Sequence, residues 1–475
     1  MKKILKRTVS LISVIACANS FALPIDWTGN IGFDQNIIED VRGTNGSCTV
    51  TNGSECLTDD NKNARFQTLL LKLNPNMIVN DSVTIKGELS TGSIRGSFNT
   101  DNSNNGTENS YFAQSAAGSS LNINQIYAEL YADTALFRIG KYARHYGLGA
   151  VISSGDRNWD RFFSSYEGAE AEFKLGNFKL IPSISVLDSD GTGVNTETRN
   201  SGKYDTTEQS VTAIYDNSNR DLKVGIFYGV RKVETNSDLN GANAGPQKTT
   251  IIDIFFEKTW GAFNLGLEIP LVSGEVGKAY NPSGTEDQDF SGKAVIMEAS
   301  YDLNPKWKFG LHAGSVSGSD SDEDSQEAMY LHPNYQIAEI MFRYNREGFQ
   351  SQTENAYRSN IVNTNYAKVF AHYQNEAWSW RLDIIMATAQ ESAQEGNTYY
   401  SHKDNTYQVA NDDQENDLGI EYDIAFDYRW SPSVTVSGYI GYYQVGEFYA
   451  FTNNTSEKIE VSNITASGLR VNVGF

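Results

Sequence analysis

Long apolar runs are missing from this sequence of 475 residues, and beyond its amino-terminal stretch nothing approaches the ~18 apolar residues that a membrane-crossing helix needs. Proline is scarce, with 9 against 40 glycines, and no change of composition marks a linker, so one large architecture is expected rather than several domains. Histidine is rare too. His145, His312, His332, His372 and His402 lie far apart without metal-ligand spacing, and neither HExxH nor GxSxG occurs, which removes the common zinc- and serine-hydrolase signatures. Positive charge is in short supply: 38 Lys and Arg against 59 Asp and Glu give a net charge of −21, which argues against a nucleic-acid partner.

The start of the chain reads as a secretory signal. Lys2, Lys3, Lys6 and Arg7 precede an apolar run from Val9 to Ala18, and Ser20-Phe21-Ala22 follows as a cleavage site. Residues 1–22 are the expected signal peptide and residues 23–475 a single β-barrel domain. Val14-Ile15-Ala16-Cys17 offers a second reading, a lipoprotein box with Cys17 lipid-modified. Cleavage after Ala22 removes four positive charges and no negative ones, which takes −21 to −25. Of 3 cysteines, Cys48 and Cys56 are then left, in a polar stretch without nearby histidine; in an oxidising compartment they are expected to form a disulfide.

What the rest of the chain has in quantity is alternation. In Ile464 to Phe475, Leu469, Val471, Val473 and Phe475 share one face while Gly468, Arg470, Asn472 and Gly474 share the other. A chain that alternates in this way up to a terminal aromatic resembles the closing strand of a Gram-negative outer-membrane β-barrel. Similar segments recur in pairs. Val83 to Leu89 follows an Asn74-Pro75-Asn76 bend, Asp133-Thr134 and Gly176-Asn177 join two hairpins, and Leu418 to Trp430 pairs with Val434 to Tyr442. The fold class is all-β, an antiparallel up-and-down transmembrane barrel of about eighteen strands, with 16 or 20 as alternatives. Polar segments such as Asn99 to Ser110 and Asp404 to Asn416 are its long extracellular loops; the short turns are periplasmic. Trp27, Phe178, Tyr215, Phe263, Tyr301, Trp307, Tyr373, Trp378, Trp380, Tyr428, Trp430 and Phe475 fall on the outward face near the short turns, as an interfacial aromatic girdle would.

The opposite parity lines the lumen. Glu129, Glu170, Glu172, Lys174, Lys179, Asp253, Glu298, Arg381, Asp423, Asp427 and Arg429 are expected there; with further inward residues such as Lys72, Lys86, Arg138, Lys223, Arg231 and Arg470 the lumen as a whole is nearly balanced in charge, with the excess acid in the loops at the mouth. Two segments are candidates for narrowing it. The first contributes Arg138, Lys141, Arg144, His145, Asp156, Arg157, Asp160 and Arg161. The second, carrying His332, Asn334, Tyr335, Glu339, Arg343 and Arg346, either tucks into the barrel, which is the expected outcome, or adds a hairpin. Asp101 to Gly106 resembles the start of a calcium loop without its distal Glu, and Asp320, Asp322, Glu323 and Asp324 form another acidic cluster, so calcium bound by a loop is the one cofactor these residues suggest and no other is expected.

LFRIGKYARHYGLG and DLGIEYDIAFDYRWSPSVTVSGYIGYYQVGEF resemble the corresponding hairpins of the alginate-export-type and related eighteen-stranded porins. The resemblance implies passive passage of small hydrophilic solutes or ions, a place in the outer membrane among lipids and lipopolysaccharide, insertion by the barrel-assembly machinery, and a monomer or homotrimer. It implies no catalysis. The alginate exporters' strongly basic lumen differs from the balanced one expected here. The alternatives are a surface-binding or structural barrel and, further off, an outer-membrane lipid hydrolase using a Ser/His pair.

Overall fold

The computed structural model describes residues 25–39, 64–91, 121–160, 162–187, 206–233, 247–277, 287–321, 324–344, 359–402, 406–453 and 461–475. The residues expected to carry the signal peptide, the Cys48–Cys56 disulfide, the calcium-like Asp101 to Gly106 stretch, Arg161 and Arg346 lie outside them, as do Asp322 and Glu323.

The strands are β1 (Ile25–Glu39), β2 (Ala64–Asn80), β3 (Val83–Thr91), β4 (Leu121–Tyr131), β5 (Ala135–Ala143), β6 (Ser165–Leu175), β7 (Phe178–Leu187), β8 (Thr206–Asn217), β9 (Leu222–Val233), β10 (Gln247–Trp260), β11 (Phe263–Gly277), β12 (Gln288–Asn304), β13 (Trp307–Val316), β14 (Ser325–Gln326), β15 (Thr364–Gln374), β16 (Trp378–Ala389), β17 (Thr398–Ser401), β18 (Thr406–Val409), β19 (Asp417–Ser431), β20 (Val434–Val445) and β21 (Ile464–Gly474). Eighteen of these pair antiparallel with their sequence neighbours and close into a barrel. The two-residue β14 adds parallel to β12, and β17 and β18 form a separate hairpin between β16 and β19, of which only β18 falls within the expected 404–416 loop. Closure is made where the alternation is cleanest: β21 runs against β1 from Asn30↔Gly474 to Glu39↔Thr465. Phe475 then exchanges two backbone hydrogen bonds with Gly29, of 2.9 and 3.0 Å.

Period two sorts the side chains as a lipid-facing barrel requires. On β1, Trp27, Ile31 and Phe33 are exposed outward while Asn30, Asp34 and Asn36 are buried inward. The same split recurs around the wall, and the outward aromatics pack with tilted rings across strands near the short turns: Phe178 against Tyr215 at 4.9 Å, Trp307 against Tyr373 at 5.0 Å and Trp378 against Tyr428 at 4.5 Å. Two of the short turns rest on glycine with positive φ, Gly176 and Gly261, both at +62°.

One expected turn is absent. Asn74-Pro75-Asn76 does not bend the chain; it lies inside β2, which continues to Asn80. Pro75 is tolerated because the ladder to β3 is interrupted there, with Leu73 paired to Leu89 and the next pair at Asn76 and Lys86. Gly87 faces the proline ring across that gap.

Candidate functional site

Two segments at the long-loop end turn inward and meet inside the barrel. The chain between β5 and β6 leaves the wall at Arg144 and crosses to the opposite side. Tyr146 lodges against Phe227 and Phe255 at 5.9 and 5.3 Å and donates to the Asp253 carbonyl at 3.0 Å, and the Leu148 N–H donates to Glu268. The segment then returns past β2, where Lys72 donates to the Gly155 carbonyl at 3.1 Å. Trp159 lies over β1 at Gly32, where a Cβ would come within 2.7 Å of the ring, so only glycine admits this approach. Arg470 of β21 stands 5.5 Å from the Trp159 ring.

The described residues between β13 and β15 fill the other side. Tyr335 donates to Glu298 at 3.0 Å, Lys368 donates to the Ile337 carbonyl at 2.9 Å, and Tyr344 meets Tyr439 at 2.6 Å. Glu421 receives the N–H groups of Glu339, Ile340 and Met341 at 2.9, 2.6 and 2.6 Å, and Asp423 also accepts from Glu339 N–H at 3.0 Å. Glu339 in turn binds Arg343 and, at 2.7 Å, Arg381. Ile337, Ile340 and Met341 are buried against Ile296, Ile385, Leu418 and Ile464, which are inward-facing apolar residues of the wall. The two segments are tied together: His332 N–H donates to the Ala150 carbonyl at 2.7 Å, and Asn334 donates to the Phe162 carbonyl at 2.6 Å.

Between the first segment and the wall from β2 to β9 lies a cavity of 510 Å³, lined by Lys72, Glu88, Tyr127, Arg138, Arg144, His145, Asp156 and Glu170. A second space of 560 Å³ opens under Leu148 toward the short turns, lined by Lys223, Glu257, Glu298, Lys308 and His312. Ion pairs cross the first cavity's wall. Arg138 bonds Glu129 at 3.1 Å and Glu170 at 2.6 Å; Arg144 bonds Glu170 at 2.9 Å and Glu208 at 3.1 Å. Burial pushes the His145 imidazole below its ordinary pKa, with Asp156 pulling the other way, so the ring is neutral near pH 7.

Of the other narrowing candidates, Asp156 accepts from the Ser154 hydroxyl at 2.5 Å at the cavity's edge. Arg157 and Asp160 close a turn on each other through the Arg157 N–H, at 3.1 Å. Lys141 is a correction. It lies on the outward parity of β5 with Phe137 and Ile139 and pairs with Glu167 at 3.6 Å on the outer wall. A strand cannot turn positions three apart, such as Arg138 and Lys141, to the same face. Toward the short turns, Glu172 pairs with Lys174 at 3.6 Å and Lys179 at 3.8 Å, Asp427 accepts from Ser437 at 2.5 Å, and Arg429 is exposed on the same parity. Asp253 is wholly buried on the inward face of β10.

Sequence reasoning missed Glu208, Tyr146 and the docking role of Glu421. Glu208 shares the inward parity of Ser210 and Thr212, but it stands in the all-polar start of β8, Thr206 to Ser210, where no apolar alternation marks the strand. Tyr146 had no periodic signal, being in a loop.

No protein-family model matches this chain, and no curated protein does. Its fold is shared with solved structures. OpdK, an outer membrane protein from Pseudomonas aeruginosa, superposes with a TM-score of 0.50 at 10% identity, over 95% of this chain and 99% of that one. OccK8 (OprE) from the same organism gives 0.51 at 12%, over 95% and 98%. OccK2 (OpdF), also from that organism and solved in complex with glucuronate, gives 0.50 at 9%, over 95% and 98%.

Proposed function

We propose that this chain is an outer-membrane porin, a non-catalytic channel for passive diffusion of small hydrophilic solutes. One observation carries the reading: an apolar outer belt encloses a charged lumen that two infolded segments narrow to spaces of 510 and 560 Å³, about the size of a small-molecule site. The route runs along the β2–β9 wall, because the other side is filled. Arg138 and Arg144 face this route, which favours solutes bearing a carboxylate; the glucuronate bound by OccK2 is a solute of that class. A polyanion conduit is disfavoured, since the cations on this wall are paired with carboxylates. The reading includes removal of residues 1–22, insertion by the barrel-assembly machinery and contact with lipopolysaccharide.

The hydrolase alternative finds a Ser/His pair in the wrong place. His372 and Ser379 approach to 2.6 Å, but on the lumen parity of β15 and β16, away from lipid. Reconstitution of the purified protein in planar bilayers tests the proposal: stable ohmic steps are expected. A barrel that inserts fully but never conducts sinks the channel reading and leaves a structural or surface-binding barrel.

A further inference from the structure

The ion pairs of the open wall join into one chain. Lys86 bonds Glu129 at 2.8 Å, Glu129 bonds Arg138 at 3.1 Å, Arg138 bonds Glu170 at 2.6 Å, Glu170 bonds Arg144 at 2.9 Å, Arg144 bonds Glu208 at 3.1 Å, and Glu208 bonds Arg231 at 2.8 Å. Four cations alternate with three carboxylates, and every carboxylate is shared by two cations. The two signs are not presented equally. Glu129, Glu170 and Glu208 are 4%, 4% and 0% exposed, whereas Lys86 and Arg138 are 38% and 29% exposed. A solute therefore meets cationic edges whose charge is mostly cancelled from behind.

We infer that the buried carboxylates, Glu170 foremost, set the channel's charge selectivity. This deepens the porin reading and rests on it. Conduction needs attraction strong enough for entry and weak enough for exit. Four uncompensated cations in a confined, poorly screened space would hold an anion; with three carboxylates behind them the chain keeps one net positive charge, enough to attract and too little to trap. Glu170 is the central member. One of its oxygens takes Arg138 and the other takes Arg144, so it restrains both guanidiniums that line the 510 Å³ cavity.

Glu170→Gln tests this, because the amide keeps the side chain's size and one acceptor while removing the charge. Reversal potential is read in bilayers under a potassium chloride gradient, and current block is read with sodium glucuronate. The expected result is an anion-to-cation permeability ratio raised roughly twofold or more, and half-block at roughly tenfold lower glucuronate concentration. Adding Arg138→Gln in the same chain returns the net charge to its starting value and should restore both readings toward wild type. A purely structural role for Glu170 predicts neither the shift nor the reversal. If a folded, heat-modifiable Glu170→Gln barrel conducts with unchanged selectivity and block, the inference is overturned. Should that variant not fold, Glu208→Gln is read for the same shift with the same consequence. Wild-type barrels that never conduct would instead defeat the porin reading itself.

Discussion

Along β2 to β9 the inward faces carry Lys72, Glu88, Glu129, Glu170 and Glu208 and border open space, whereas on the long-loop half of β12 to β21 they carry Ala294, Ile296, Ile385, Ala387, Leu418 and Ala466 and border packed protein. The same barrel thus has a wet half and a dry half. An apolar inner wall in contact with water would forfeit the transfer free energy of every residue on it, so it needs a filling, and the segment around Ile337 to Tyr344 supplies one. The charges that do occur on the dry side are mostly spent on docking. Glu421 and Asp423 take backbone N–H groups that the inserted segment could not otherwise satisfy, and Lys368 takes a carbonyl. On the wet side the charges take one another and leave the space free.

The largest test of this contrast removes the filling. Replacing residues 337–344 by a short Gly/Ser linker should raise single-channel conductance roughly twofold or more; unchanged conductance would mean that the dry half stays closed without them. Next, Ile385→Asp buries a charge where the filling packs and should cost about 3 kcal/mol or more. The same change at Ile181, which borders the 510 Å³ cavity, should cost little. Comparing the temperatures at which the two variants lose heat-resistant electrophoretic mobility checks this, and equal losses would erase the distinction between halves.

A smaller effect separates residues that look alike in sequence. Arg138→Ala with Arg144→Ala should shift the reversal potential toward cations, while Lys141→Ala, on the outer wall, should leave it where it is. A shift from the Lys141 variant equal to that of the arginine pair would return Lys141 to the lumen.

The smallest effect lies outside the wall. His402, beside the β17–β18 hairpin, has both ring nitrogens buried without a hydrogen-bond partner among the described residues, between Tyr330 and Tyr400, and burial lowers its pKa to about 4. The unfolded hairpin binds the proton more readily than the folded one between the ordinary value near 6.5 and about 4, so acid weakens the hairpin across that window and nothing is lost above it. Protease resistance at this hairpin should fall as pH drops from 7 to 4 in wild type and stay flatter in His402→Phe.

Much of this architecture was legible because a barrel strand writes its two environments into alternate positions. That alternation located the wall from β1 to β21, the closing strand, the outward aromatics and most inward charges, with no need to know which strand neighbours which. It failed where a rule of local punctuation was overridden. Asn74-Pro75-Asn76 reads as a turn until the gap in the β2–β3 ladder is seen to excuse the proline. Lys141 shares a basic cluster with Arg138, but their odd spacing along β5 puts the two side chains on opposite faces.

The sequence by itself determined the all-β class, the inside and outside of each strand, and the two segments able to enter the lumen, since each of these depends on residues a few positions apart. Only the tertiary structure decided that Glu170 is shared by Arg138 and Arg144, that Glu421 grips the backbone of a segment 80 residues away, and that one half of the lumen is filled while the other stays open. Those contacts join strands and loops whose separation along the chain carries no periodic signal. They arise from closure of the sheet, which fixes which inward faces look at one another across the barrel.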